Sequence, residues 1–174
     1  MLHFYQRGNV LKKKMLFWIV GIAVAIQFIR PDFHDRKVDT AVELQADEQV
    51  RPILEKACYD CHSDETKYPW YSNVAPVSWF MANHIDHGRK AVNFSNWENI
   101  DTQTRIARLE RAKHLLHIGL MPLGSYQWMH KGANLTGEQK ETLAQFFDEQ
   151  LKALKASEEQ SVVKAGVLLN NGMG

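Results

Sequence analysis

Cysteine is nearly missing from this chain: 174 residues hold two, Cys58 and Cys61. Only two residues separate them, so a bridge there would close almost no loop, and a disulfide-stapled scaffold is excluded. An excess of either charge is missing too. Lys and Arg number 21 against 20 Asp and Glu. A net charge of +1 leaves no electrostatic footprint for nucleic acid and no steering toward a particular partner. No stretch of any length alternates with the strand period and no repeat is present, so the expected fold class is all-α. A long hydrophobic run is also lacking. The longest, residues 15–29, makes roughly 22 Å of helix against about 30 Å of bilayer hydrocarbon. What remains is globular in character, 45% apolar and 24% charged, and long enough for one domain but hardly two.

The run 15–29 follows Lys12, Lys13 and Lys14 and is closed by Arg30-Pro31. Basic residues before an apolar stretch are the order of an export or anchoring signal. Snorkelling of Lys14 and Arg30 would let so short a segment serve as an anchor. Ala23-Val24-Ala25 offers a small-residue cleavage site instead, leaving Ile26 at a greasy new end. A buried core helix fits the three lysines poorly. In both export readings the rest of the chain crosses the membrane, because the lysines stay inside. Residues 1–31 are therefore expected to be a signal or membrane anchor outside the fold, and 32–41 a polar linker. Residues 42–155 form the compact domain, and 156–174 a flexible tail.

Within the domain, a helix is expected over 47–57, with Val50, Ile53, Leu54 and Ala57 on one face and Pro52 in its first turns. An ordered loop over 68–76 and a helix over 77–90 follow. Asp101 is the N-cap of a helix over 102–118 that Gly119 ends. A loop covers 121–135. Thr136 and Gln139 form a capping box for the last helix, whose stripe is Leu143, Phe146, Phe147, Leu151 and Leu154.

Cys58-Tyr59-Asp60-Cys61-His62 is C-x-x-C-H, the pattern that attaches haem c. Two thiols at this spacing reach the two vinyl groups on one porphyrin edge, and the next imidazole turns beneath the ring to ligate iron. Three other readings exist. A thioredoxin-like pair needs a βαβ context that the chain lacks. A zinc site needs two further ligands, which the eight histidines could supply. Two buried cysteines could also be adjacent by chance. The export signal favours haem, because it places the motif where haem c is attached. Met121, 59 residues beyond His62 and stiffened by Pro122, is the expected second axial ligand; a core-filling methionine is the alternative. His117 and then His84 compete with it. His84 with His87, and His114 with His117, share helix faces but lack further metal partners in sequence; His130 is a loop residue. Tyr68, Trp70, Tyr71, Trp79, Trp97, Tyr126 and Trp128 supply aromatic walls for a flat apolar plate. Arg89, Lys90 and Tyr126 are candidate propionate contacts.

These residues carry a resemblance. The helix–CxxCH–loop–Met-Pro–helix order over 46–155 resembles class I c-type cytochromes. More narrowly, the chain is similar to the bacterial periplasmic haem-binding domain family. The match lies in Cys58-Tyr-Asp-Cys-His-Ser63, Thr66-Lys-Tyr-Pro-Trp-Tyr-Ser-Asn73, Ala75-Pro-Val-Ser-Trp79, His87-Gly-Arg-Lys90, Asn93-Phe-Ser-Asn-Trp97 and Met121-Pro-Leu123. The resemblance implies one covalent haem, a cytochrome-c-like all-α fold and an N-terminal membrane segment. It implies little about a reaction. The stretch 68–99 is longer than in ordinary small cytochromes, as a docking surface or lid would be. The expectation is an exported, membrane-tethered monohaem electron carrier on the periplasmic side of the cytoplasmic membrane. Cys58 and Cys61 hold the haem, His62 and Met121 ligate its iron, and redox proteins are its partners; no residue is catalytic. The competing expectations are a peroxidase or small-ligand reductase with an open iron, using His84 or His117 as acid–base, and a haem sensor in which a ligand displaces Met121.

Overall fold

Leu54, Leu109 and Leu143 are sealed from solvent, and each lies on the apolar stripe of a different helix. That convergence is what a 3.6-residue period produces when three amphipathic helices share a core. The structure, a computed structural model, describes the backbone of residues 2–33 and 37–171 and the side chains of 11–33 and 37–164. Its α-helices are α1 (Leu2–Ala25), α2 (Arg51–Ala57), α3 (Tyr59–His62), α4 (Val77–Ala91), α5 (Thr102–His117), α6 (Gly124–Met129) and α7 (Gly137–Asn171). Short 3-10 turns lie at Ile26–Phe28, Trp70–Asn73, Phe94–Asn96 and Lys131–Ala133. Among the described residues there is no strand.

The chain divides into two compact units. One joins Asp35–Lys67 to Ile85–Gly174, and α4 supplies residues to both. In this unit α7 packs along α5 and more briefly on α2. Val50, Ile53, Ile106, Leu116, Phe146, Phe147, Leu151 and Leu154 fill the space between them. Local signals set the helix ends. Asp101 Oδ1 accepts the Thr104 N–H at 2.9 Å. Thr136 and Gln139 exchange backbone-to-side-chain bonds at 3.1 and 3.2 Å, the reciprocal pairing of a capping box. Gly119 takes φ of +73°, its N–H bonding Leu116 O while Leu120 N–H bonds Leu115 O. That is a Schellman ending, which needs the left-handed residue only glycine adopts freely.

Two expectations change here. The stretch 121–135 is not all loop, because α6 forms within it, held by a tertiary contact described below. The last helix does not stop near residue 155 but runs to Asn171. Glu158, Glu159 and Gln160 are good helix formers that carry the helix past Leu154, its last buried position among the described residues.

The other unit joins Met1–His34 to Tyr68–His84. The N-terminal segment, expected to lie outside the fold, is thus tied to later residues. The Gln27 side chain donates to Ala75 O at 3.1 Å and accepts Ala75 N–H at 3.0 Å. Trp79 Nε1–H donates to Ile29 O at 2.6 Å, and Phe33 packs on Tyr68 with ring centroids 4.7 Å apart. Part of the expected linker, residues 34–36, lies outside the described residues. Among the described residues no helix is long and apolar enough to cross a membrane. The α-helical part of the apolar run ends at Ala25, about 16 Å from its start at 1.5 Å per residue.

Candidate functional site

α2 delivers Cys58. Its N–H still bonds Leu54 O at 2.8 Å, but its φ and ψ of −125° and −41° leave the helix. The single turn α3 follows, with His62 N–H bonding Cys58 O at 2.9 Å. The two intervening residues have separate tasks. Tyr59 is buried, stacks on Phe94 at 5.9 Å and lies beneath the Arg51 guanidinium. Asp60 points toward later parts of the chain. Neither thiol is bridged, and both are partly buried. Burial, with Cys61 nearby, pushes the Cys58 thiol up to about 12; burial, with Asp60 nearby, pushes Cys61 up to about 11. Both are therefore neutral near pH 7, unlike the low-pKa thiolate of a redox pair.

The imidazole of His62 is fixed by α4. Its Nδ1 lies 2.9 Å from Gly88 O and 3.2 Å from Val92 O. Carbonyl oxygens only accept, so Nδ1 carries the proton and Nε2 keeps a free lone pair. Burial lowers the His62 pKa and favours this neutral form. The approach of α4 is as close as backbone permits. A Cβ on Gly88 would stand 2.3 Å from the Cys61 carbonyl oxygen. Gly88 therefore does two things: it lets the helix touch the motif, and its carbonyl orients the ring.

The backbone after His62 is clamped as well. Arg89 Nε–H donates to Ser63 O at 2.8 Å, Arg89 Nη2 reaches Thr66 Oγ1 at 3.0 Å, and Asp64 lies 3.4 Å from the same guanidinium. Asn93 Nδ2 donates to Asp64 at 3.1 Å, and Ser95 Oγ accepts the Asp64 N–H at 3.1 Å. Arg89 thus clamps the backbone that follows the C-x-x-C-H motif. Lys90, like Arg89 a candidate propionate contact, pairs with Asp86 at 2.6 Å.

Met121 is partly buried between α5 and α6, its N–H bonded to Leu115 O at 3.2 Å. α6 brings this loop to the motif. Tyr126 OH donates to Asp60 Oδ2 at 2.6 Å, while Asp60 Oδ1 accepts the Lys67 N–H at 2.9 Å. Burial and then the Asp60 carboxylate raise the Tyr126 pKa, so the phenol remains a donor. Tyr126, expected near a propionate, is thus a latch between the motif and the helix that follows Met121. Hydrogen bonds to charged acceptors contribute about 1.5–3 kcal/mol. Tyr126→Phe is expected to lower stability by about 2 kcal/mol, read as an earlier denaturant midpoint at unchanged slope. An unchanged midpoint would show the latch to be idle.

A family model described as a haem-binding domain matches residues 21–149. The chain belongs to this haem-binding domain family. The matched span takes in the C-x-x-C-H motif, α4 and Met121, all the elements just described. A search of the curated proteins and one of the solved structures each find no match.

The residues present suit a haem. Two unbridged thiols precede an imidazole whose Nε2 lone pair is free, and a glycine leaves the motif uncrowded. Cys58 and Cys61 could hold the porphyrin edge, and His62 its iron. The haem-binding domain offers less for zinc: among the described residues, no three His, Cys, Asp or Glu side chains gather as a metal group. Four of the other described histidines have their own surroundings. His117 is exposed in the last turn of α5, and His114 is exposed one turn before it. His84 Nδ1–H donates to Phe80 O of its own helix at 2.8 Å, and its ring packs on Phe80. His130 stacks on Tyr126 with centroids 4.2 Å apart. Of the aromatics, Trp97 is a core residue, whereas Trp70 and Trp128 are exposed. Sequence reading missed the roles of Gly88, Arg89, Asn93, Ser95 and Asp60. The signal was present in the His87-Gly-Arg-Lys90 and Asn93-Phe-Ser-Asn-Trp97 runs, where small and polar residues interrupt an otherwise amphipathic pattern.

Proposed function

We propose that this haem-binding protein is a monohaem c-type cytochrome, exported and tethered to the membrane, that transfers single electrons between protein partners on the periplasmic side. Cys58 and Cys61 form the two thioethers, and His62 and Met121 are the axial ligands. The observation that carries the reading is the oriented His62 ring, two backbone carbonyls holding Nδ1–H so that Nε2 faces away, directly after two free thiols. Such a second carbonyl shell fixes the tautomer and raises ligand basicity. Bound haem supplies a one-electron couple. The chain's residues set its surroundings: Phe94 packs near the His62 ring at 6.2 Å, and Tyr126 fastens the helix that follows Met121 to Asp60. A thioether opposite the imidazole favours reduced iron and raises the potential, which suits a carrier. The exposed apolar run and its three lysines support the tether.

The optical spectrum of the purified haem protein tests this, oxidised and reduced, with and without carbon monoxide. A low-spin spectrum indifferent to carbon monoxide is expected. Met121→Ala should then turn ferric haem high-spin and admit carbon monoxide to the ferrous form, while Met121→His stays low-spin at a lower potential. A parent protein that binds carbon monoxide readily would point to the small-ligand enzyme or sensor instead. A Met121→Ala protein with the parent's spectrum would move the sixth ligand to another residue.

A further inference from the structure

Residues 68–84 contain no Lys, Arg, Asp or Glu, in a chain where such residues make up 24%. They are nevertheless not a core segment. Trp70 is 79% exposed and Phe80 51%, and Val74 and Val77 are exposed beside them in sequence. Tyr68, Trp70, Tyr71 and Trp79 make the stretch rich in the amphipathic rings that favour membrane–water boundaries. The same stretch is fastened to the end of the apolar run. Gln27 pairs twice with the Ala75 backbone, and Trp79 bonds Ile29 O. Phe28 and Ile29, at this junction, are themselves exposed.

We propose that the surface of Trp70, Val74, Val77 and Phe80 seats in the outer leaflet of a phospholipid bilayer, beside the end of the N-terminal segment. This rests on the reading of residues 15–29 as the membrane anchor. Four features of the chain select lipid. The segment is short of the hydrocarbon thickness by about 8 Å, and an apolar surface seated about 5–10 Å into the interface makes up that difference. The described residues of α1, 11–25, are exposed on all sides, so no described part of the chain covers this stretch of the run. The junction's polar groups are satisfied internally: the Gln27 amide and the Ile29 carbonyl are hydrogen-bonded to protein, so leaving water costs them little. At the other end, Lys12, Lys13 and Lys14 suit anionic headgroups.

The test uses the full-length haem-loaded chain in vesicles of phosphatidylethanolamine and phosphatidylglycerol. Nitroxide labels are placed through Trp70→Cys and Phe80→Cys, with Gln49→Cys as a control at an exposed position of the haem domain. The haem is kept reduced, and collision rates with oxygen and with a water-soluble nickel complex are read. Flotation of the vesicles first reports whether the anchor engages. Labels at 70 and 80 are expected to lose nickel access several-fold on reconstitution and gain oxygen access, while the label at 49 keeps its nickel access. Flotation with nickel access unchanged at 70 and 80 would overturn the seating surface and leave the anchor standing. No flotation would overturn the anchor, and the seating surface with it. Shielding at 70 and 80 already present without lipid would assign the surface to a second copy of the chain and overturn the lipid.

Discussion

Replacing Cys58 and Cys61 together by Ala is expected to give a protein with no haem on denaturing electrophoresis. Both thiols of the chain are consumed by the proposed attachment, so nothing remains to form a thioether. Structure should be lost along with the cofactor. The turn α3 and the clamped backbone after it gather around the motif, and Tyr59, His62 and Phe94 pack together there. A domain of this size has little core to spare, and losing a haem held against the motif would leave apolar surface there without partners. Far-ultraviolet circular dichroism should therefore show a large fall in helicity, and the same fall should follow expression without the haem-attachment machinery. A double variant that keeps haem through denaturation would sink the covalent assignment. One that loses haem but keeps parental helicity would show that the core folds without it.

Among the described glycines, Gly88 is the one where an added Cβ meets other atoms within 4 Å, and Gly88→Ala is expected to be strongly damaging. The added carbon would meet the Cys61 carbonyl oxygen at 2.3 Å and its carbonyl carbon at 3.0 Å. The obstacle is backbone, which cannot rotate aside, so α4 must withdraw from the motif. Overpacking of this kind costs about 3 kcal/mol, or roughly 6–12 °C in unfolding midpoint for a chain of this length. Withdrawal also lengthens the 2.9 Å bond from His62 Nδ1–H to the Gly88 carbonyl. A less firmly held, less basic imidazole stabilises oxidised iron less, so the haem potential should rise relative to the parent. Gly132→Ala is the control, because its Cβ would meet nothing within 4 Å. If both alanine variants melt together and share one potential, α4 does not press on the motif as described.

Much of this protein was legible in the sequence because the deciding interactions are local. Period and capping are near-neighbour properties. Ile53, Leu54 and Ala57 on α2 with Val50 at its N-cap, and the stripe from Leu143 to Leu154 on α7, are buried as their spacing predicts. Asp101, Gly119 and the Thr136–Gln139 pair end helices where their chemistry says they should. The C-x-x-C-H motif is five consecutive residues, and the haem-binding family follows from it and its neighbours. Tertiary structure alone decided the rest, because those contacts join residues far apart in sequence. Nothing near Tyr126 announces that its hydroxyl will find Asp60, 66 positions earlier, and so the sequence pattern over α6 reads as loop. Arg89 stands in sequence as a candidate propionate contact, and only folding sets it against Ser63, Asp64 and Thr66. Gln27 and Trp79 look like ordinary polar and aromatic residues, yet they bind the N-terminal segment to a stretch about 50 residues later. Gly88 shows the difference most plainly. In sequence it is a weak spot in a helix; in space it is where a helix backbone meets the carbonyl of Cys61, a requirement that only the approach of two distant segments creates.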